Sequence, residues 1–206
     1  MILDPAQLPP NDVYRVLISA VVPRPIAFVS TVSATGAVNL APFSYFTALA
    51  SAPPLIGISI NDRGDDPKDT LRNIRETGEF VVNVVNCAIM EPMVRTAGDW
   101  PRTVSEFEPA RLTPRPSHKV APPSVAESPL QLECRLHREI PLGNCFLVVG
   151  EVVLVHVDES VVREGRIEPS LLDAVGRLGG EFYAPLGEVV KVVRPKVSRA
   201  TGELEG

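Results

Sequence analysis

Apolar and polar positions alternate with a period of two through residues 26–32. Ile26, Phe28 and Val32 fall on one side of an extended chain, and Ala27, Val29 and Thr31 on the other. Thr35-Gly36 supplies a turn, because glycine adopts positive φ at little cost. A short return strand over 37–40 is expected to stop before Pro42. Similar runs predict strands over 55–60, 80–86, 130–140 and 146–157, and a last strand around 188–193. The 80–86 run is apolar on both faces except at Asn83, which suits a barrel or sandwich wall and demands partners for a buried amide. Helical spacing is short-range. It predicts a helix over 12–20 with Asp12 as its cap, and one over 69–77 capped by Asp69 and closed by Gly78. Briefer turns are expected within 87–97, near 104–107 and over 171–178. Six or seven strands without βαβ alternation predict a mainly β, Greek-key-like barrel with short helices.

The chain of 206 residues fits one domain over 1–206. Residues 1–22 read as an arm and short helix, 99–129 as a proline-rich excursion, and 195–206 as a frayed polar tail. Hydrophobic sequence resumes directly after the excursion, so a structured flap or wrap is expected rather than a linker. A net charge of −5 with no basic block argues against a nucleic-acid surface. No apolar run is long enough to span a membrane, and no signal peptide pattern opens the chain. Three dispersed cysteines, Cys87, Cys134 and Cys145, point to a reduced, cytoplasmic protein.

Familiar catalytic motifs are missing: there is no GxGxxG after a strand, no GxxxxGK[ST], no HExxH and no GxSxG. No catalytic acid, base or nucleophile is nominated, and the spacing of His118, His137 and His156 gives no metal site. The segment 43–47, Phe-Ser-Tyr-Phe-Thr, concentrates aromatics and hydroxyls beyond what a hairpin needs. Ser44 and Thr47 with the intervening amides can cradle a phosphate, and Tyr45 or Phe46 can wall a flat ring. Lys68 and Thr70 stand at the mouth of the predicted helix, where amides attract anions, and Arg24 offers a second cation beside the hairpin. Ser30 and Thr31 can meet the edge of a ring from the first strand. Ordinary loop hydroxyls, solvated charges and core aromatics explain the same residues equally simply.

At these positions the sequence resembles the flavin reductase-like family of FMN-binding split-barrel proteins, especially its flavoredoxin-like branch. The likeness lies in 24–31 (RPIAFVST), Gly36, 39–46 (NLAPFSYF), Lys68-Asp69-Thr70 with Asn73-Ile74, 78–83 (GEFVVN), and Arg177-Leu178-Gly179-Gly180 with Tyr183. It implies a homodimer holding FMN non-covalently in a cleft near the subunit interface. On that likeness Ser30 and Thr31 contact the ring, and Ser44 and the loop after it lie by the ribityl phosphate. Lys68 and Thr70 form the second phosphate segment, and Asn39 fixes the loop or touches flavin. Asn83 stands in the pocket wall, while Arg177 and Tyr183 bound the cleft. Many short members that reduce flavin with a nicotinamide carry Gly-Asp-His late in the chain, where this sequence reads Gly143-Asn144-Cys145. Two functions follow from the resemblance. One is an FMN-dependent oxidoreductase drawing on NADH or NADPH; the other is an electron carrier whose FMN is reduced by a protein partner.

Overall fold

The computed structural model describes residues 1–62, 64, 66–197 and 204–205. Its core is one antiparallel sheet of seven strands: β1 (Ala27–Val32), β2 (Val38–Phe43), β3 (Phe46–Ser51), β4 (Pro54–Asn61), β5 (Glu79–Val84), β6 (Leu130–Leu142) and β7 (Cys145–Val157). They lie in the order β2-β1-β5-β6-β7-β4-β3. The sheet curls into a split barrel that does not close. Its edges β2 and β3 are joined by Ser44 and Tyr45, and the Ser59 N–H donates to the Tyr45 carbonyl.

Both faces of the sheet are covered, which explains why β1 and β5 carry apolar side chains on both faces, apart from Ser30, Thr31 and Asn83, which are buried as well. Ala27, Val29 and Val82 pack with Ile58 and Phe80, and with Leu71 and Ile74 of helix α2 (Asp69–Thr77), inside the curl. Ile26, Phe28 and Leu40 face the other way, against Met93 of α3 (Met90–Arg95) and Phe107 of a short turn of helix (Phe107–Ala110). Leu112 and Val125 complete this second core. The excursion is therefore the outer layer of a core. Gly150 of β7 is where the ring of Phe80 passes: a Cβ there would lie 2.3 Å from its Cζ.

Several expectations are corrected. The return strand continues through Pro42, which pairs with Phe28; an edge strand tolerates a residue with no N–H to donate. The segment after Ser44-Tyr45 is strand β3 rather than loop, exposed along almost its whole length. Helix α1 (Pro10–Ala20) starts two residues before Asp12 and carries no side-chain cap; proline is pre-organised for a first helical position. The helix expected over 171–178 is reduced to Pro169–Leu172, because Val175 enters strand β8 (Val175–Arg177), which pairs with β9 (Tyr183–Pro185). Residues 188–193 form no strand and leave Val190, Val192 and Val193 exposed. The expected tail at 195–206 falls largely on 198–203 and 206, outside the described residues. No helix among the described residues is long and apolar enough to cross a membrane.

Candidate functional site

Helix α2 opens onto a cleft. Lys68 occupies its N-cap position, and no side chain caps the first turn. Asp69, expected to do so, turns its carboxylate to Arg72 at 3.1 Å and Arg102 at 2.9 Å. The first-turn amides consequently face the cleft with no carboxylate cap, at the positive end of the helix dipole. Thr70 is buried, and its hydroxyl accepts the Asn39 amide at 2.9 Å. The same amide reaches Thr31 Oγ1 at 3.2 Å, where the Asn73 amide also donates at 3.0 Å. Asn39 thus bolts the hairpin to α2 and sets the floor of the cleft.

A cavity of 580 Å³ lies over this floor, between Asn39, Phe43, Lys68 and Thr70 on one side and Trp100, Arg102 and Glu106 of the excursion on the other. Arg102 is tied to Asp66 as well as to Asp69. Burial pushes the Glu106 carboxyl up, against the opposing effect of the Leu40 N–H, which it accepts at 2.8 Å. A second cavity of 900 Å³ shares Pro42, Phe43, Lys68 and Ala97 with the first, so the two are halves of one cleft. Phe43 and Lys68 form the saddle between them, with Nζ 5.3 Å from the ring centre. Tyr14, Ser44, Met93, Arg177 and Tyr183 line the second half.

The structure brings Asn39, Ser44, Lys68, Thr70, Arg177 and Tyr183 to this cleft. It spreads the 43–47 segment: Phe43 faces the cleft, Ser44 and Arg24 border both the cleft and an adjoining groove of 420 Å³, and Tyr45, Phe46 and Thr47 line that groove against Leu17 and Val21 of the α1 end. Burial pushes the Tyr45 phenol up, and the nearby Tyr14 adds to that. The Thr47 hydroxyl is exposed and donates to the Ala48 carbonyl. Ser30, Thr31 and Asn83 are fully buried. Ser30 donates to the Pro123 carbonyl, and Asn83 bonds Phe28 and Val125. All three side chains bond other protein groups, Thr31 as the acceptor for Asn39 and Asn73.

Arg24 borders the second half, but its guanidinium is an internal staple. It donates to the carbonyls of Ile18 at 2.5 Å, Val21 at 2.8 Å and Leu178 at 2.8 Å. Arg177 bonds the Tyr183 hydroxyl and the Gly180 carbonyl, with its guanidinium 4.4 Å from the Tyr183 ring centre. Burial, and then the nearby charge of Arg24, lower the pKa of Arg177. The cysteines stand apart from all this. Cys134 is buried in the core, which pushes its thiol up. Cys145 donates to the Leu142 carbonyl at 3.1 Å. No cluster that could hold a metal ion occurs among the described residues.

Residues 19–180 match the model of the flavin reductase like domain. The chain belongs to the flavin reductase-like family. An uncharacterised protein of Halalkalibacterium halodurans is 43% identical over 206 residues, 97% of this chain and 99% of its own. Among solved structures, nitrilotriacetate monooxygenase component B from Bacillus cereus superposes with a TM-score of 0.90 at 39% identity, covering 93% of this chain and 98% of its own. The 2-nitrobenzoate 2-nitroreductase of Pseudomonas fluorescens gives 0.88 at 31%, covering 98% and 100%. Flavoredoxin of Desulfovibrio vulgaris gives 0.75 at 25%, covering 89% and 94%.

Within this flavin reductase-like chain, sequence reasoning missed Tyr14, Met93, Trp100, Arg102 and Glu106 as cleft residues. Only the lone tryptophan beside an arginine, in a stretch otherwise marked by proline, offered a signal. The excursion's approach to α2 depends on the Arg102 ion pairs, which no local periodicity reveals.

Proposed function

We propose that the protein is a flavoprotein oxidoreductase that holds FMN in this cleft. The observation carrying the reading is the α2 mouth: first-turn amides without a side-chain cap, with Lys68 beside them, suit a phosphate. The Phe43–Ser44 edge and Tyr183 would hold the ribityl chain and the ring. Bound FMN supplies the electron chemistry. The protein binds its phosphate through Lys68 and the α2 amides, positions it against Phe43 and Ser44, and excludes water with the Trp100–Arg102 wall. Asn39 and Thr70 act through each other as positioning residues. NADH or NADPH is the proposed donor, stacked by alignment rather than by an acid–base pair.

A second reading has a specific observation behind it. Gly143 and Asn144 are the two-residue turn between β6 and β7, followed by Cys145 where the resemblance calls for histidine. This favours an FMN-bound electron carrier reduced by a protein partner. We also propose a homodimer in the cytoplasm: Leu17, Val21 and Leu49 are exposed apolar side chains on α1 and β3, and the three cysteines are free.

Titration of the folded, cofactor-free protein with FMN is expected to give saturable fluorescence quenching. A linear, unsaturated response would reject the flavoprotein reading. Anaerobic bleaching of bound FMN by NADH or NADPH selects the enzyme. Bleaching by dithionite alone selects the carrier.

A further inference from the structure

The larger half of the cleft has a charge pattern that one phosphate does not explain. Arg15, Arg24, Lys68 and Arg177 line it, and no aspartate or glutamate does among the described residues, in a chain of net charge −5. Asp12 meets Arg15 at 3.2 Å, and both of these side chains are largely exposed. Arg24 and Arg177 lie back to back: each donates its backbone N–H to the other's carbonyl, at 2.9 and 2.8 Å. The like charges of the buried Arg24 and the partly buried Arg177 repel where screening is poor, an effect that Tyr14 and Glu181 offset only in part at Arg177.

The two arginines differ in what they have left to give. Arg24 is anchored by the three carbonyls named above and by Ser44 at 3.4 Å. Arg177 uses one hydrogen on each terminal nitrogen, for Tyr183 and Gly180. Its Nε and one hydrogen on each terminal nitrogen have no partner among the described residues. A planar guanidinium with adjacent free donors matches a carboxylate edge-on, two bonds at once. Beside it stand the flat faces of Tyr183, Tyr14 and Phe43 and the thioether of Met93, walls suited to a single ring.

We infer that this half of the cleft binds an aromatic carboxylate as the protein's second substrate, its carboxylate on Arg177 and its ring against Tyr183 and Phe43. The inference rests on the flavoprotein reading for its place beside FMN, but its recognition chemistry is independent of flavin. A carboxylate suits Arg177 rather than Arg24, because Arg24 has one N–H left after its four contacts whereas Arg177 has three. Burial of Arg177 beside Arg24, which lowers its pKa, gives an incoming anion a repulsion to relieve.

The test is calorimetric titration of the whole chain, with and without FMN, using benzoate and the neutral isostere benzamide as probes. Benzoate is expected to bind at least about tenfold more tightly than benzamide, reflecting a charge-assisted bidentate contact. Arg177→Met is expected to weaken benzoate about tenfold more than it weakens FMN, and Lys68→Ala to do the reverse. Arg177→Lys keeps the charge but loses the fork, and is expected to restore benzoate binding only in part. Equal binding of benzoate and benzamide, or no benzoate heat in either form, would each overturn the inference. Arg177-dependent benzoate binding in a protein that never takes up FMN would retain the carboxylate site and reject the flavoprotein reading alone.

Discussion

Asn83 Oδ1 accepts the backbone N–H of Val125 at 2.8 Å, while its Nδ2 donates to the Phe28 carbonyl at 2.9 Å. One amide in the middle of the sheet thus ties together two strands and the layer that covers them. Its neighbours do similar work: Ser30 holds the Pro123 carbonyl, and Gln131 accepts Arg115 at 2.6 Å. Polar groups in the sheet centre are tolerated because the excursion satisfies them. Asn83→Ala strands the Val125 amide in the core and is expected to cost about 2–3 kcal/mol, read from urea unfolding. FMN affinity of the folded variant is expected to stay close to that of the parent. Weakened FMN binding at unchanged stability would instead make Asn83 a cofactor contact.

Lys68 gives the opposite pattern. It stands half-buried at the α2 mouth, so its removal leaves the core intact while taking a cation from the phosphate position. Lys68→Ala is expected to weaken FMN by about ten- to a hundredfold, the worth of one charge-assisted bond, with little change in unfolding midpoint. Fluorescence titration at two salt concentrations checks this, since the lost contact also flattens the salt dependence. Equal FMN affinity in the folded variant would refute the assignment.

Glu133 makes stability depend on pH. It is fully buried on β6 and accepts the N–H groups of His118 at 2.8 Å and Lys119 at 2.5 Å, with His156 Nε2 at 2.7 Å. Burial pushes its carboxyl up, but the His118 amide, His156 and the Lys119 amide together outweigh that and hold it below the usual glutamate range. A depressed folded pKa stabilises the protein above the unfolded value of about 4.3 and is lost as pH falls through the folded value. Unfolding midpoints are therefore expected to drop between about pH 4.5 and the acid limit in the parent. In Glu133→Gln the neutral-pH midpoint falls and this acid limb shrinks. An unchanged acid limb in the variant would place the pH dependence on other carboxylates.

The strands were legible because β1, β5, β6 and β7 satisfy local rules: alternation or two-sided apolarity, with turn residues between them. Lys68 and Thr70 were legible because a helix mouth is a local feature too. What stayed hidden depends on distant partners. Asp69 looks like a cap in sequence, yet Arg102, 33 positions away in the excursion and 2.9 Å away in space, draws its carboxylate off the helix. Ser30 and Thr31 look like ligands because hydroxyls in a strand resemble donors awaiting a ring. In the folded chain Ser30 donates to the Pro123 carbonyl and Thr31 accepts from Asn39 and Asn73, partners that local sequence does not announce. The five residues 43–47 read as one patch, but the bend between β2 and β3 spreads them over the cleft and the groove that adjoins it at Ser44. Strand propensity at 188–193 is strong, and no edge among the described residues receives it.

Arg24 is the residue on which a cation's two roles separate most cleanly. As a phosphate contact it would be dispensable for folding and sensitive to salt. Its surroundings argue otherwise: it is 6% exposed, and its donors reach carbonyls at the end of α1 and at Leu178, joining three distant parts of the chain. Arg24→Met keeps the volume and removes the donors, leaving buried carbonyls unsatisfied at about 1–3 kcal/mol each. The expected outcome is a large fall in unfolding midpoint and faster hydrogen exchange over 14–21. FMN bound by whatever folded protein remains is expected to weaken far less than in Lys68→Ala. The Arg177 pKa is expected to rise as well, since Arg24 is a like charge that lowers it. Arg24→Lys keeps the charge and still fails to restore stability, because one ammonium cannot reach all three carbonyls, at the α1 end and at Leu178, as the planar fork does. Full rescue by lysine, with FMN affinity returning alongside, would show that charge rather than the planar fork matters at this position.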